Sequence, residues 1–205
     1  MKNKKRIFLI ITALVILLGV IVYLFMINKQ NDETDNITDN VKFSQEYGSV
    51  SEDNVFCYKS IEEIINILEH GTGVVYLGFP ECPWCKEYVI YLNNVAKESE
   101  CEKVYYFNIL NDRKENTDNY QKIVNILKDY LPYDDEGNKR IYVPAVIAVK
   151  DGKIIAFDDE TAKDTKGYDT PQEYWENEDL DGLKKKLAEM FEKTSNSKCT
   201  SGCNI

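Results

Sequence analysis

The chain has 205 residues, 43% hydrophobic and 12% aromatic, which is enough to build the core of one compact domain. The formal net charge is −10, and from Asn28 onward 21 basic residues face 35 acidic ones, a balance of −14. Such a surface repels phosphate backbones and excludes nucleic acid as a partner.

Residues 1–6 are basic through Lys2, Lys4, Lys5 and Arg6. Residues 7–27 then run without a single charge, interrupted only by Thr12, Gly19 and Tyr23. A helix of that length spans about 30 Å, the thickness of the hydrocarbon layer. Asp32, Glu33 and Asp35 follow. With cations before and anions after, the positive-inside rule places the N-terminus in the cytoplasm and the remainder outside the cell membrane on a single-pass transmembrane anchor. The alternative, a cleaved signal peptide, calls for a shorter apolar region and a small-x-small cleavage site, and no such site follows residue 20. Residues 28–52 are rich in Asn, Asp, Thr, Ser and Glu without hydrophobic periodicity, and read as a flexible linker.

The outer domain is expected over residues 53–194. Asn54–Tyr58 reads as a short strand. Ser60 with Glu63 forms a capping box, Ile61, Ile64, Ile65 and Leu68 fall at helical spacing, and Gly71 stops that helix. Val74–Phe79 is a near-continuous apolar run, as expected of a strand buried on both faces. A helix is predicted from Pro83 to Glu98, a strand over Val104–Leu110 and a helix over Asp118–Tyr130. Residues 132–140 read as a polar loop. Ile141–Val149 is strand-like but contains Pro144; Asp151-Gly152 is a hairpin signal, and Ile154–Phe157 returns. Residues 158–177 read as a decorated loop, 179–193 as a closing helix, and 195–205 as a cysteine-containing tail. Alternating strands and helices imply parallel strands with helices on both faces, closed by an antiparallel hairpin: an α/β fold with a mixed sheet of four or five strands.

Six cysteines stand at positions 57, 82, 85, 101, 199 and 203. Outside the reducing cytosol an even number permits disulfides, although the count does not fix the pairing. Cys82-Pro83-Trp84-Cys85 follows the buried strand and opens a helix. A thiolate is the attacking species in thiol–disulfide exchange, and a helix N-terminus favours an anion. A structural disulfide or half of a zinc site are the other readings of this spacing, and zinc needs two further ligands.

Three features together resemble the thioredoxin superfamily: the C-P-W-C motif in that context, Val143-Pro144 about 60 residues later at a strand start, and the hairpin over Val146–Phe157. The resemblance covers roughly residues 54–193. It implies a thioredoxin-like fold, Cys82 as exposed nucleophile and Cys85 as resolving thiol. It also implies a cis Val143–Pro144 bond facing them, with Pro83, Trp84, Val143 and Pro144 contributing to substrate binding. The expected activity is that of a membrane-anchored, extracytoplasmic thiol–disulfide oxidoreductase. Its partners would be protein disulfides or dithiols and a membrane electron-transfer partner, and no cofactor or metal is implied. The architecture also resembles bacteriocin transport accessory proteins, which implies a non-catalytic accessory module as the alternative.

Two departures matter. Reducing thioredoxins usually keep a buried Asp six residues before the first cysteine, where this chain has Tyr76. Glu81 replaces the usual aromatic before Cys82, and an adjacent anion is expected to raise the Cys82 pKa. Cys57 and Cys101 should lie at opposite ends of neighbouring strands, so Cys57 is expected as a buried core residue. Cys199 and Cys203 read as a local tail disulfide or as an exchanging dithiol. His70, the single histidine, reads as a helix-end cation, and Lys128 and Lys184 to Lys186 as solvated faces. Tyr174 and Trp175 either pack on the domain or mark a partner surface.

Overall fold

The computed structural model describes residue 19 and residues 37–101, 103–159 and 166–194. The expected basic segment, the anchor over 7–27 apart from residue 19, the first part of the linker and the tail lie outside the described residues. Among the described residues no helix is long and apolar enough to cross a membrane.

A compact unit begins at Asp39, not at residue 53. The expectation of a flexible linker through residue 52 is therefore corrected. Residues Asp39–Tyr47 form helix α1, and its Phe43 and Tyr47 are buried. Two aromatics four residues apart lie on one helix face, and that pair outweighs the polar composition around it. Phe43 stacks on Phe56, with ring centroids 3.9 Å apart, and meets Tyr106 edge-on at 4.9 Å. The segment after α1 is held as well: Asn40 Nδ2 donates to the Glu52 carbonyl, and Ser44 Oγ donates to the Val50 carbonyl.

The elements that follow are β1 (Phe56–Tyr58), α2 (Ile61–His70), β2 (Gly73–Gly78), α3 (Pro83–Glu98), β3 (Val104–Asn108), α4 (Leu110–Glu115), α5 (Asp118–Leu127), β4 (Ala145–Lys150), β5 (Lys153–Asp158), α6 (Pro171–Asn177) and α7 (Leu180–Thr194). The fold is α/β, with a mixed five-stranded sheet in the order β1-β3-β2-β4-β5 and helices packed against it. β1, β3 and β2 run parallel, while β4 is antiparallel to β2 and to β5. All six residues of β2 are buried, as the apolar run predicts for a central strand.

Local chemistry sets several boundaries. Ser60 caps α2 by accepting from the Glu63 N–H, and the Glu63 carboxylate accepts from the Ser60 N–H, completing the capping box. Asp151 and Gly152 both have positive φ, as a two-residue hairpin turn requires. Gly152 is further confined because a Cβ there would lie 2.0 Å from the Glu69 carbonyl oxygen.

Two expectations about the C-terminal part are corrected. Residues 171–177 are a helix, α6, because Thr170 caps it by accepting from the Glu173 N–H and Pro171 opens its first turn. Lys186 is not a purely solvated residue. Its ammonium pairs with Asp158, a fully buried carboxylate that also accepts the Tyr88 hydroxyl at 2.5 Å. Asp158 thus carries the hydrogen bonds that a buried charge needs, and it ties β5 to α3 and α7.

The burial of Phe43 gives the first test. Phe43→Ala should lower unfolding free energy by about 3–5 kcal/mol, the cost of truncating a buried phenylalanine. Urea denaturation measures it, and a loss below about 1 kcal/mol would return α1 to the status of a linker.

Candidate dithiol site

The buried strand β2 ends at Gly78, and the chain turns through Phe79, Pro80 and Glu81 into Cys82. Cys82 is the N-cap of α3, with extended backbone, and Pro83 occupies the first turn. A proline there forfeits no helical hydrogen bond and leaves the other N–H groups of the turn pointing at the cap. The Cys82 Sγ accepts one of them, from Cys85 N at 3.3 Å. Cys82 is half-buried, whereas Cys85, one turn further on, is fully buried. Both are free thiols in this structure.

The two thiols are pushed in opposite directions. The Cys82 pKa is lowered to about 7: the hydrogen bond from the Cys85 thiol contributes most, and the N–H groups of Cys85 and Trp84 and the Arg113 cation also contribute, against an opposing effect of burial. Cys85 is raised well above the ordinary thiol value, first by burial and then by its hydrogen bond to Cys82. The expected upward push of Glu81 on Cys82 does not prevail. Glu81 is exposed to solvent, where its charge is screened, while the helix N–H groups lie in direct contact with the sulfur.

Sequence reasoning missed what lies beneath Cys85. Tyr76, in the middle of β2, is fully buried, and its hydroxyl is hydrogen-bonded to the Cys85 thiol, holding the thiolate form lower than burial alone allows. That hydroxyl fills the space over Gly78: a Cβ at Gly78 would lie 2.3 Å from it, so only glycine fits there. Tyr47 of α1 places its hydroxyl 3.4 Å from those of both Tyr76 and Tyr106. With one proton per hydroxyl, every contact is satisfied if Tyr106 donates to Tyr47, Tyr47 to Tyr76, and Tyr76 to Cys85. The Tyr76 pKa itself is raised well above 10 by burial, so this phenol serves as a donor and not as a base. Tyr76 was legible as a departure from a buried acid, but Tyr47 carried no signal because its segment read as linker.

The other expected site residues are distributed as follows. The Val143–Pro144 peptide bond is cis, and both residues are buried. Ala145 pairs with Leu77, so Pro144 lies at the end of the sheet from which the Cys82 loop departs. Pro83 is exposed, and half-buried Trp84 meets Tyr174 edge-on at 5.5 Å. Tyr174 and Trp175 are buried against the domain, so α6 walls the motif and does not present these aromatics to solvent. Arg113 of α4 was also missed. Its guanidinium lies 4.9 Å from the centre of the Phe79 ring and donates to the Ile141 carbonyl, thereby touching both the loop before Cys82 and the loop before Pro144.

Cys57 is buried as expected, and it is also disulfide-bonded, which the reading as a simple core residue did not anticipate. The tail pair Cys199 and Cys203 lies outside the described residues. Among the described residues, no group of three or more His, Cys, Asp or Glu side chains is placed to hold a metal ion.

This electrostatic arrangement predicts a pH profile. Alkylation of Cys82 should rise with pH through a midpoint near 7, because the thiolate reacts and its pKa is lowered to about 7. Tyr76→Phe should move the Cys85 titration to still higher pH, read from its Cβ chemical shift. An unmoved Cys85 would remove Tyr76 from the site. The chain matches no protein family, no curated protein and no solved structure.

Proposed function

We propose that this chain is a thiol–disulfide oxidoreductase with a thioredoxin-like fold, held at the outer face of a cell membrane by residues 7–27. The observation that carries the reading is the asymmetry of the dithiol. A half-exposed thiol at a helix N-terminus, lowered to about 7, sits over a buried thiol raised above its ordinary value. An inert structural disulfide gains nothing from such a separation, whereas an exchange reaction needs one attacking and one waiting sulfur.

In the reducing direction the Cys82 thiolate attacks one sulfur of a substrate disulfide. The substrate S–S bond breaks, a Cys82–substrate disulfide forms, and the departing substrate thiolate takes up a proton. Cys85 then loses its proton and attacks Cys82. The mixed disulfide breaks, the Cys82–Cys85 disulfide forms, and the second substrate sulfur leaves as a thiolate. The substrate gains two electrons and the dithiol loses them; the oxidising direction is the reverse. Tyr76 acts here as a positioning residue. Its hydroxyl donates to the Cys85 sulfur while that sulfur carries charge. The cis Val143–Pro144 segment at the same end of the sheet offers backbone to an extended substrate strand.

The test is a trap. Cys85→Ala should accumulate mixed disulfides through Cys82, resolved by non-reducing electrophoresis and identified by mass spectrometry. Cys82→Ser should lower turnover of a protein disulfide by about three orders of magnitude or more, as removal of a nucleophile does. If Cys85→Ala traps nothing, and the parent chain neither reduces insulin nor oxidises a reduced protein, the reading fails. The reduction potential of the same protein fixes the direction of electron flow.

A further inference from the structure

Next to the dithiol the surface changes sign. A cleft of about 680 Å³ between α4, α5 and the loop that leads to Pro144 is lined by Arg113, Lys114, Lys128, Lys139 and Arg140. Two carboxylates share the lining. Asp134 is turned into its own loop, its Oδ1 accepting the N–H groups of Glu136 and Asn138. Five cations thus face two carboxylates, of which Asp134 is tied to its own loop and Glu136 is exposed.

Neutral groups, not carboxylates, hold the contacted cations: Lys139 donates to the Leu131 carbonyl and lies 4.0 Å from the centre of the Tyr133 ring, and Arg140 lies 5.9 Å from that of Tyr142. The ion pairs among the described residues use Lys59, Lys97, Lys122, Lys166, Lys184, Lys186 and Lys193, and none of the five in the cleft. Burial, and after it the Arg140 cation, disfavour the charge on Arg113. Two guanidiniums lining one cleft with no ion pair to either, on a chain whose residues 28–205 carry −14, are an arrangement that a bound anion would relieve.

One residue, Arg113, links the cleft to the dithiol loop. Arg113 lines it while contacting Phe79 and the Ile141 carbonyl, and its charge acts on Cys82. Arg140 stands three residues before Val143. A strand lying along Val143–Pro144 with its cysteine on Cys82 therefore has its flank at the cleft.

We propose that this cleft binds a carboxylate-rich stretch of a polypeptide, and that the preferred substrates are protein disulfides or dithiols flanked by Asp or Glu. The acidic balance of residues 28–205 disfavours such a partner in general, and the field at the cleft steers it to this face. The inference rests on the thiol–disulfide reading for the placement of the cysteine, but the binding itself does not require turnover.

The experiment uses the full-length chain in neutral detergent and fluorescent peptides of one sequence, with serine in the cysteine position and flanks of Glu, Gln or Lys. Fluorescence anisotropy should show the Glu peptide binding about fivefold or more tighter than the Gln peptide, with the Lys peptide weakest and the preference shrinking as salt rises. The double variant Lys128→Glu/Arg140→Glu should abolish or invert the order. Because the readout is a ratio within each protein, a partly unfolded variant lowers all three signals and leaves the order intact. An unchanged order in the variant, equal binding of the three peptides by the parent chain, or displacement of the Glu peptide by equimolar inorganic phosphate would each overturn the proposal. In parallel, cysteine-containing versions report turnover. Turnover without the Glu preference sinks this inference alone, and Glu-selective binding without turnover sinks the oxidoreductase reading alone.

Discussion

The complete burial of β2 is the constraint on which the remaining architecture depends. Its six residues lie between β3 on one edge and β4 on the other, under helices on the faces. Each large apolar side chain so buried contributes about 1.5–3 kcal/mol, and the backbone is hydrogen-bonded along both edges. The strand is thus fixed in register, and whatever follows Gly78 leaves the sheet at one defined point. Cys82 leaves there, and the cis peptide before Ala145 arrives there because Ala145 pairs with Leu77. The dithiol and the Val143–Pro144 loop meet as a consequence of strand pairing, although about 60 residues separate them in sequence.

The same burial explains why Tyr76 can stand where an acid is expected. A carboxylate in the middle of a fully buried strand has to be paired or neutralised. A phenol is neutral at every physiological pH, and burial keeps it so. It offers the sulfur a donor without the desolvation cost of a charge. Its length then creates a requirement at Gly78, whose missing side chain makes room for the hydroxyl, and a requirement at α1, whose Tyr47 supplies the next hydroxyl. A change at one position thus propagates to residues two and twenty-nine positions away, so these three residues are best regarded as one unit.

How much of this was legible followed from where the information is local. The capping box at Ser60, the start of α3 at Pro83 and the Asp151-Gly152 turn are written in adjacent residues, and the structure has them in place. The apolar run from Val74 likewise marked a central strand. Helix α1 was invisible because only Phe43 and Tyr47 bury themselves, and two aromatics in a nine-residue, mostly polar segment give no periodic stripe. α6 was hidden for a similar reason: seven residues with Tyr174 and Trp175 at adjacent positions do not spell a helical face. The Cys82 pKa was misjudged from Glu81 because sequence adjacency overstated an exposed charge and passed over a guanidinium thirty-one residues away. Long-range electrostatics is a property of the folded surface, and no spacing rule encodes it.

The cationic cleft belongs to that last class, and it changes how the net charge should be understood. Read along the chain, an excess of acid says only that anionic partners are disfavoured. Read on the fold, the same excess sharpens a region where the sign is reversed, since a field is defined by contrast. Arg113 then has two consequences from one position. It helps to hold Cys82 as a thiolate, and it lines the cleft beside the path to Val143–Pro144. If an acidic segment occupies that cleft, it partly neutralises Arg113 and so weakens one of the influences that keep the Cys82 pKa low. A thiolate of higher pKa is intrinsically more nucleophilic and is expelled less readily when the substrate's other thiolate re-attacks the mixed disulfide, because leaving-group ability falls as thiol pKa rises. Under the proposed reading, recognition and reactivity are therefore coupled through a single guanidinium. A substrate that binds well through its acidic flank also lengthens the life of the intermediate that Cys85, with Tyr76 beneath it, has to resolve.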